Sequence, residues 1–115
     1  MDKHVEVSVL LQIYGKLLTE KQYKVINDYY NNDLSLSEIA ENLKISRQGV
    51  RDIILKGEDK LFEYEEKLAI MKKGQLQEKQ IQIILTQLDE IKEGSSDKKV
   101  EKILNEIQKE LKVLA

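Results

Sequence analysis

The chain has 115 residues, 41% apolar and 35% charged, with a formal net charge of −2, which fits one small domain or a domain with an extension. It has no cysteine and one histidine, His4, which excludes disulfides, thiol catalysis and thiolate metal sites and leaves no His-based metal cluster. Proline is absent and aromatics make up 5%, so a chain rich in Leu, Ile, Lys, Glu and Gln is expected to be all-α with an aliphatic core.

Val5, Val9, Leu10, Ile13 and Leu17 recur at three- and four-residue spacing and predict a first helix running to about Leu18. Thr19 then reads as an N-cap, with Gln22 completing a capping box. The second helix uses Tyr23, Ile26, Tyr29 and Tyr30 as its apolar positions, and Asn31-Asn32-Asp33 stops it. Ser35 caps a short third helix, with Glu38 as box partner and Leu36, Ile39, Ala40 and Leu43 facing inward. After Lys44-Ile45, Ser46 caps a fourth helix whose pattern continues without a stop signal to about Lys73, before Gly74. That is about 27 residues, or about 40 Å. Its apolar positions Val50, Ile54, Gly57, Leu61, Tyr64, Leu68 and Met71 alternate steps of four and three. This spacing fits packing on the chain's own bundle or a coiled-coil seam with a second subunit, with Gly57 as a gap in the row.

Beyond Gly74 all aromatics disappear. Two amphipathic stripes follow: Ile81, Ile84, Leu88 and Ile91, then Val100, Ile103, Leu104, Ile107, Leu111 and Leu114. Gly94-Ser95-Ser96-Asp97 separates them, with Ser96 or Asp97 capping the last helix. The expected organisation is a helix-turn-helix domain over residues 1–73, including the long fourth helix, and a C-terminal helical hairpin over residues 74–115. The long helix and tail carry more apolar stripe than so short a chain can bury alone, so a homodimer is expected.

The segment Leu36–Ile54 has the layout of a helix-turn-helix. Ala40 is small where two helix axes approach, Ile45 plugs the turn, and Val50 and Ile53 face inward. Of 19 cationic residues only Arg47 and Arg51 are arginine, and they stand one turn apart. With Gln48 they face outward from the start of the second helix, where such motifs reach base edges or phosphates in a major groove. Lys44 and Ser46 flank them, so the candidate nucleic-acid-binding set is Lys44, Ser46, Arg47, Gln48 and Arg51. Lys44 stands where many such turns carry glycine in a left-handed conformation, at a cost of about 1 kcal/mol. Gly49 costs about 1 kcal/mol relative to alanine inside a helix. From Lys44 to Lys60 five cations face three anions, Asp52, Glu58 and Asp59, so a monomer should hold duplex DNA weakly.

Leu18-Thr19-Glu20-Lys21-Gln22, Tyr29-Tyr30, Asp33 through Glu41, Ser46-Arg47-Gln48-Gly49-Val50 and Glu63-Tyr64-Glu65-Glu66-Lys67-Leu68 resemble the YlxM proteins of Gram-positive bacteria. The match covers about residues 5–75. It departs at Gly49, where relatives usually have alanine, and after Gly74. The family's helix-turn-helix is similar to region 4 of bacterial sigma factors. The resemblance implies a small regulatory protein of the signal recognition particle pathway, because the family's genes commonly adjoin those for the particle's GTPase and its receptor. Its implied partners are the particle's RNA or GTPase. The rival reading is a sigma-like transcription regulator that reads duplex DNA.

Other chemistry finds little support. Gly15-Lys16 lacks the preceding glycine and strand of a phosphate loop. Glu63, Glu65 and Glu66 read as a solvated face, Tyr29-Tyr30 as core, and His4 as an inert residue near a frayed terminus. No enzyme, metal or cofactor is expected. No apolar run approaches about 18 residues and no signal-peptide order opens the chain, so the expectation is a cytoplasmic protein with no membrane insertion.

Overall fold

The computed structural model describes residues 1–114, which form six α-helices and, among the described residues, no strand. The first, α1 (Lys3–Tyr14), starts at Asp2, whose carboxylate accepts the His4 backbone N–H at 2.9 Å. Its inward face is Val7, Leu10, Leu11 and Tyr14. Val5 and Leu17 of the expected stripe are 47% and 54% exposed. Leu17 leaves the stripe because the chain tightens into a 3-10 turn over Gly15–Leu17, whose three-residue period rotates it away from the core. His4 lies within α1 and its ring centroid is 5.1 Å from that of Tyr30; it is placed against an aromatic rather than on a frayed end.

Helix α2 (Glu20–Tyr30) begins with the expected capping box: the Gln22 N–H donates to Thr19 Oγ1 and the Thr19 N–H donates to Gln22 Oε1, both at 3.1 Å. It buries Val25, Ile26 and Tyr30, while Tyr23 is 42% exposed. Tyr29 meets Tyr30 edge to face at 5.1 Å, an arrangement that contributes beyond area burial. Asp33 then takes a left-handed turn (φ 54°), which a short carboxylate side chain tolerates. Helix α3 (Leu36–Leu43) repeats the device, with Ser35 and Glu38 closing a second capping box.

Helix α4 (Arg47–Leu68) supplies the centre of the core. Val50, Ile54 and Leu61 are buried with residues of α1, α2 and α3. Gly57 fills its apparent gap by admitting a neighbour: a β-carbon there would overlap Ile26 Cδ1. The seam from Val50 to Leu61 is therefore occupied by the chain's own core. One turn position on that helix is polar and buried. Glu58 accepts a hydrogen bond from Tyr30 Oη and pairs with Lys3 Nζ at 3.4 Å.

The fourth helix stops at Leu68, five residues short of the expected end. Ala69 is left-handed (φ 52°, ψ 34°), and α5 (Ile70–Glu93) starts at once and runs straight through Gly74. No stop signal in the sequence marks this break; a local acceptor, Glu65, and a distant one, Tyr14, meet there. Tyr14 Oη donates to Glu65 Oε1 at 2.9 Å and accepts the Ile70 N–H at 3.2 Å, while Glu65 Oε1 also accepts the Met71 N–H at 3.0 Å. These bonds satisfy first-turn N–H groups of α5 and offset a left-handed alanine that costs about 1 kcal/mol. Glu65 is thus a capping group and not part of a solvated face. Glu63 is exposed and pairs with Lys67 at 3.0 Å.

Burial raises the Tyr14 hydroxyl above its ordinary 10.0, the Ile70 N–H opposes this, and the Glu65 carboxylate adds to it. Burial likewise pushes Tyr30 up, reinforced by Glu58. The unfolded chain then loses these protons first as pH rises. Stability should hold to about pH 10 and fall above it, with the Tyr30 phenol contributing at most about 1.4 kcal/mol per pH unit. Urea titrations across that range check this; a flat profile contradicts it, and Tyr30→Phe should flatten it in part.

The described residues divide into two compact units, Met1–Met71 and a second from Lys72 onward. In the second, α6 (Lys98–Leu114) folds back along α5, and the Gln108 side-chain amide donates to Asp89 Oδ1 at 2.7 Å. Asp97, one of the two expected caps, accepts the Lys99 N–H at 2.8 Å. Ile81, Leu85 and Leu104 are buried. No helix among the described residues is long and apolar enough to cross a membrane.

Candidate nucleic-acid interface

The turn between α3 and α4 is closed by two backbone bonds: the Lys44 N–H reaches Glu41 O at 3.3 Å and the Ile45 N–H reaches Ala40 O at 3.1 Å. Together with a left-handed Lys44 (φ 57°, ψ 43°) these make a Schellman motif, in which the residue after the left-handed one turns inward. Ile45 is half-buried against the core, as the plug reading requires. The conformation is the one glycine adopts freely, and lysine holds it here. Lys44→Gly should therefore raise stability by about 1 kcal/mol while weakening nucleic-acid binding. Thermal melts and binding titrations on the same variant check the opposed signs; a fall in both would contradict the geometry.

Ser46 opens α4, its Oγ accepting the Gly49 N–H at 2.9 Å. The hydroxyl proton remains available to a phosphate. A β-carbon on residue 49 would lie 3.2 Å from that same Oγ, so glycine there leaves room for the cap at some cost in helix propensity.

Arg47, Gln48 and Arg51 are all exposed on the first turns of α4, with Lys44 exposed beside them. Neither guanidinium nor the Lys44 ammonium has a hydrogen bond or ion pair among the described residues. Two free forks at the positive end of a helix make an anion-attracting surface. Gln48 is different. Its Nε2 donates to Asp52 Oδ1 at 3.0 Å, so one of its two amide donors is engaged and the side chain is oriented toward Asp52. Asp52 and the exposed Leu55 (44%) share the outward surface and were not among the candidates read from sequence. Their signal was present: positions 48, 51, 52 and 55 fall on one helical face. Asp52 reduces the positive potential beside Arg51 and lowers phosphate affinity.

Beneath this surface, Lys3, Tyr30 and Glu58 tie α1, α2 and α4 together, and Ile26 seats on Gly57. Helix α4 is thus held by core packing along its inner side, Val50 and Ile54 included, and only the outer side of its first two turns is exposed. A short helix, a tight left-handed turn and a second helix with exposed cationic first turns define the class: a helix-turn-helix protein of all-α fold.

The chain belongs to the UPF0122 family, described as "Putative helix-turn-helix protein, YlxM / p13 like", which matches residues 1–107. It is similar to the UPF0122 protein of Clostridium botulinum, 46% identical over 98 residues covering 85% of this chain and 89% of the relative. The Acetivibrio thermocellus UPF0122 protein is 41% identical over 111 residues (96% and 95% of the two chains), and that of Fusobacterium nucleatum 40% over 109 residues (93% and 97%). The family match extends well past Gly74, so it takes in α5 and the first part of α6 and not only the helix-turn-helix.

Proposed function

We propose that this chain is a regulatory nucleic-acid-binding protein of the signal recognition particle pathway. In this reading it works in the cytoplasm as a homodimer and contacts the particle's RNA or its GTPase through the first turns of α4. The observation that carries the binding surface is the pair of unpartnered guanidiniums, Arg47 and Arg51, on an exposed helix start. Support for the pathway is the YlxM-like family membership. The chain's formal net charge of −2 and the carboxylate of Asp52 beside Arg51 favour a few phosphate contacts over a long duplex footprint.

A sigma-like regulator that reads duplex DNA is the second reading. It is favoured by the placement of Arg47, Gln48 and Arg51, since those positions enter the major groove in helix-turn-helix proteins. The deep, narrow major groove of A-form RNA admits no such insertion, so RNA would be held at phosphates, loops or bulges. Fluorescence anisotropy of the full chain with particle RNA and with random duplex DNA separates the two. Tighter binding to particle RNA at equal salt is the expected result. Equal or tighter binding to random duplex would overturn the pathway reading.

A further inference from the structure

In the second unit eight large apolar residues are exposed among the described residues, and four of them gather on one face. Ile84 and Ile91 on α5, seven residues apart, share one helix side, as do Ile103 and Ile107 on α6; they are 54% exposed at Ile91, 56% at Ile103 and 41% and 39% at Ile84 and Ile107. Because α6 runs back along α5, with Asp89 and Gln108 bonded on one side of the pair, the 100° per residue of each helix turns all four isoleucines to the opposite side. Single exposed hydrophobes need no explanation, but four on one face of two paired helices do.

The edge of that row on α6 carries an ordered charge pattern: Lys99 and Lys102 in its first half, Glu106 and Glu110 in its second, all exposed. This order is the reverse of what the helix dipole favours, so the dipole does not account for it. An antiparallel α6 of identical sequence would bring Lys99 opposite Glu110 and, within one residue of that register, Lys102 near Glu106 and Ile103 near Ile107. An interface with two-fold symmetry must be self-complementary in this way.

We infer that this apolar face binds a second copy of the chain, α6 against α6 in antiparallel register. The inference rests on the homodimer reading above and names the surface that makes the dimer. Sedimentation velocity of the full chain at micromolar concentration tests it with two charge-reversed variants, Lys99→Glu/Lys102→Glu and Glu106→Lys/Glu110→Lys. All four positions are exposed, so both variants should keep the wild-type helical circular dichroism. The wild type should be a dimer, each variant alone should dissociate at least about tenfold more readily, and an equimolar mixture should associate again. The mixture also controls for folding, since an unfolded variant could not be rescued. A monomeric wild type overturns the homodimer reading and this inference together. Variants that remain dimeric overturn only the interface, and variants that dissociate without rescue on mixing overturn the antiparallel register.

Discussion

Ile26→Ala should lower the unfolding free energy by about 3 kcal/mol, and Gly57→Ala should lower it by about 1 kcal/mol. Ile26 is fully buried and its Cδ1 occupies the space a β-carbon on residue 57 would need. Truncation at 26 empties that space, removing transfer energy and leaving a cavity. The alanine at 57 gains helix propensity, about 1 kcal/mol, but forces a packed isoleucine off its place, which costs more. The two changes should therefore compensate: the double variant should fall short of the sum by about 1 kcal/mol, because the new methyl occupies part of the cavity. Urea denaturation of all four proteins measures this. Strict additivity would show that α2 and α4 do not meet at these residues. The native stability of a domain this size is about 5–15 kcal/mol, so the single change at Ile26 removes a large part of it.

The second large effect concerns binding. Arg47→Ala/Arg51→Ala should weaken nucleic-acid affinity by about 30-fold or more, as two cationic contacts are lost. Stability should change by less than about 0.5 kcal/mol, because both side chains are exposed and unpartnered. The sequence dependence of the loss carries further information. A uniform loss across sequences marks phosphate contacts; a loss confined to some sequences marks contacts to base edges.

Much of the fold was legible because it is written in local signals. Thr19, Ser35 and Ser46 each precede a helix and each caps it, and Lys44 adopts the left-handed turn that its position required. The all-α class followed from composition. The end of α4 was not legible, since Ala69 and its neighbours carry no stop signal. The break depends on Tyr14, which is 51 residues from Glu65. For the same reason Glu65 reads from sequence as one of three solvated acids, and Glu58 reads only as an anion, because its partners Tyr30 and Lys3 lie on other helices. The inward face of α1 was rotated because Val5 and Val7 are both plausible core residues by spacing; only the partner helices select Val7. At the candidate site, the outward direction of Arg47 and Arg51 followed from helical period. The capture of Gln48 by Asp52 obeys the same period but competes with a role in reading bases, and spacing alone does not rank the two.

The proposed binding surface is the start of α4, which holds nucleic acid through two guanidiniums. Its most direct test is the salt dependence of affinity for wild type and Arg47→Ala/Arg51→Ala, measured by anisotropy on one labelled nucleic acid. Each phosphate contact contributes a slope of about −0.9 on duplex and about −0.7 on single strands in log affinity against log salt. The double variant should lose about 1.4–1.8 of the wild-type slope along with its affinity. An unchanged slope and unchanged affinity would contradict the claim and place the binding surface elsewhere on the chain.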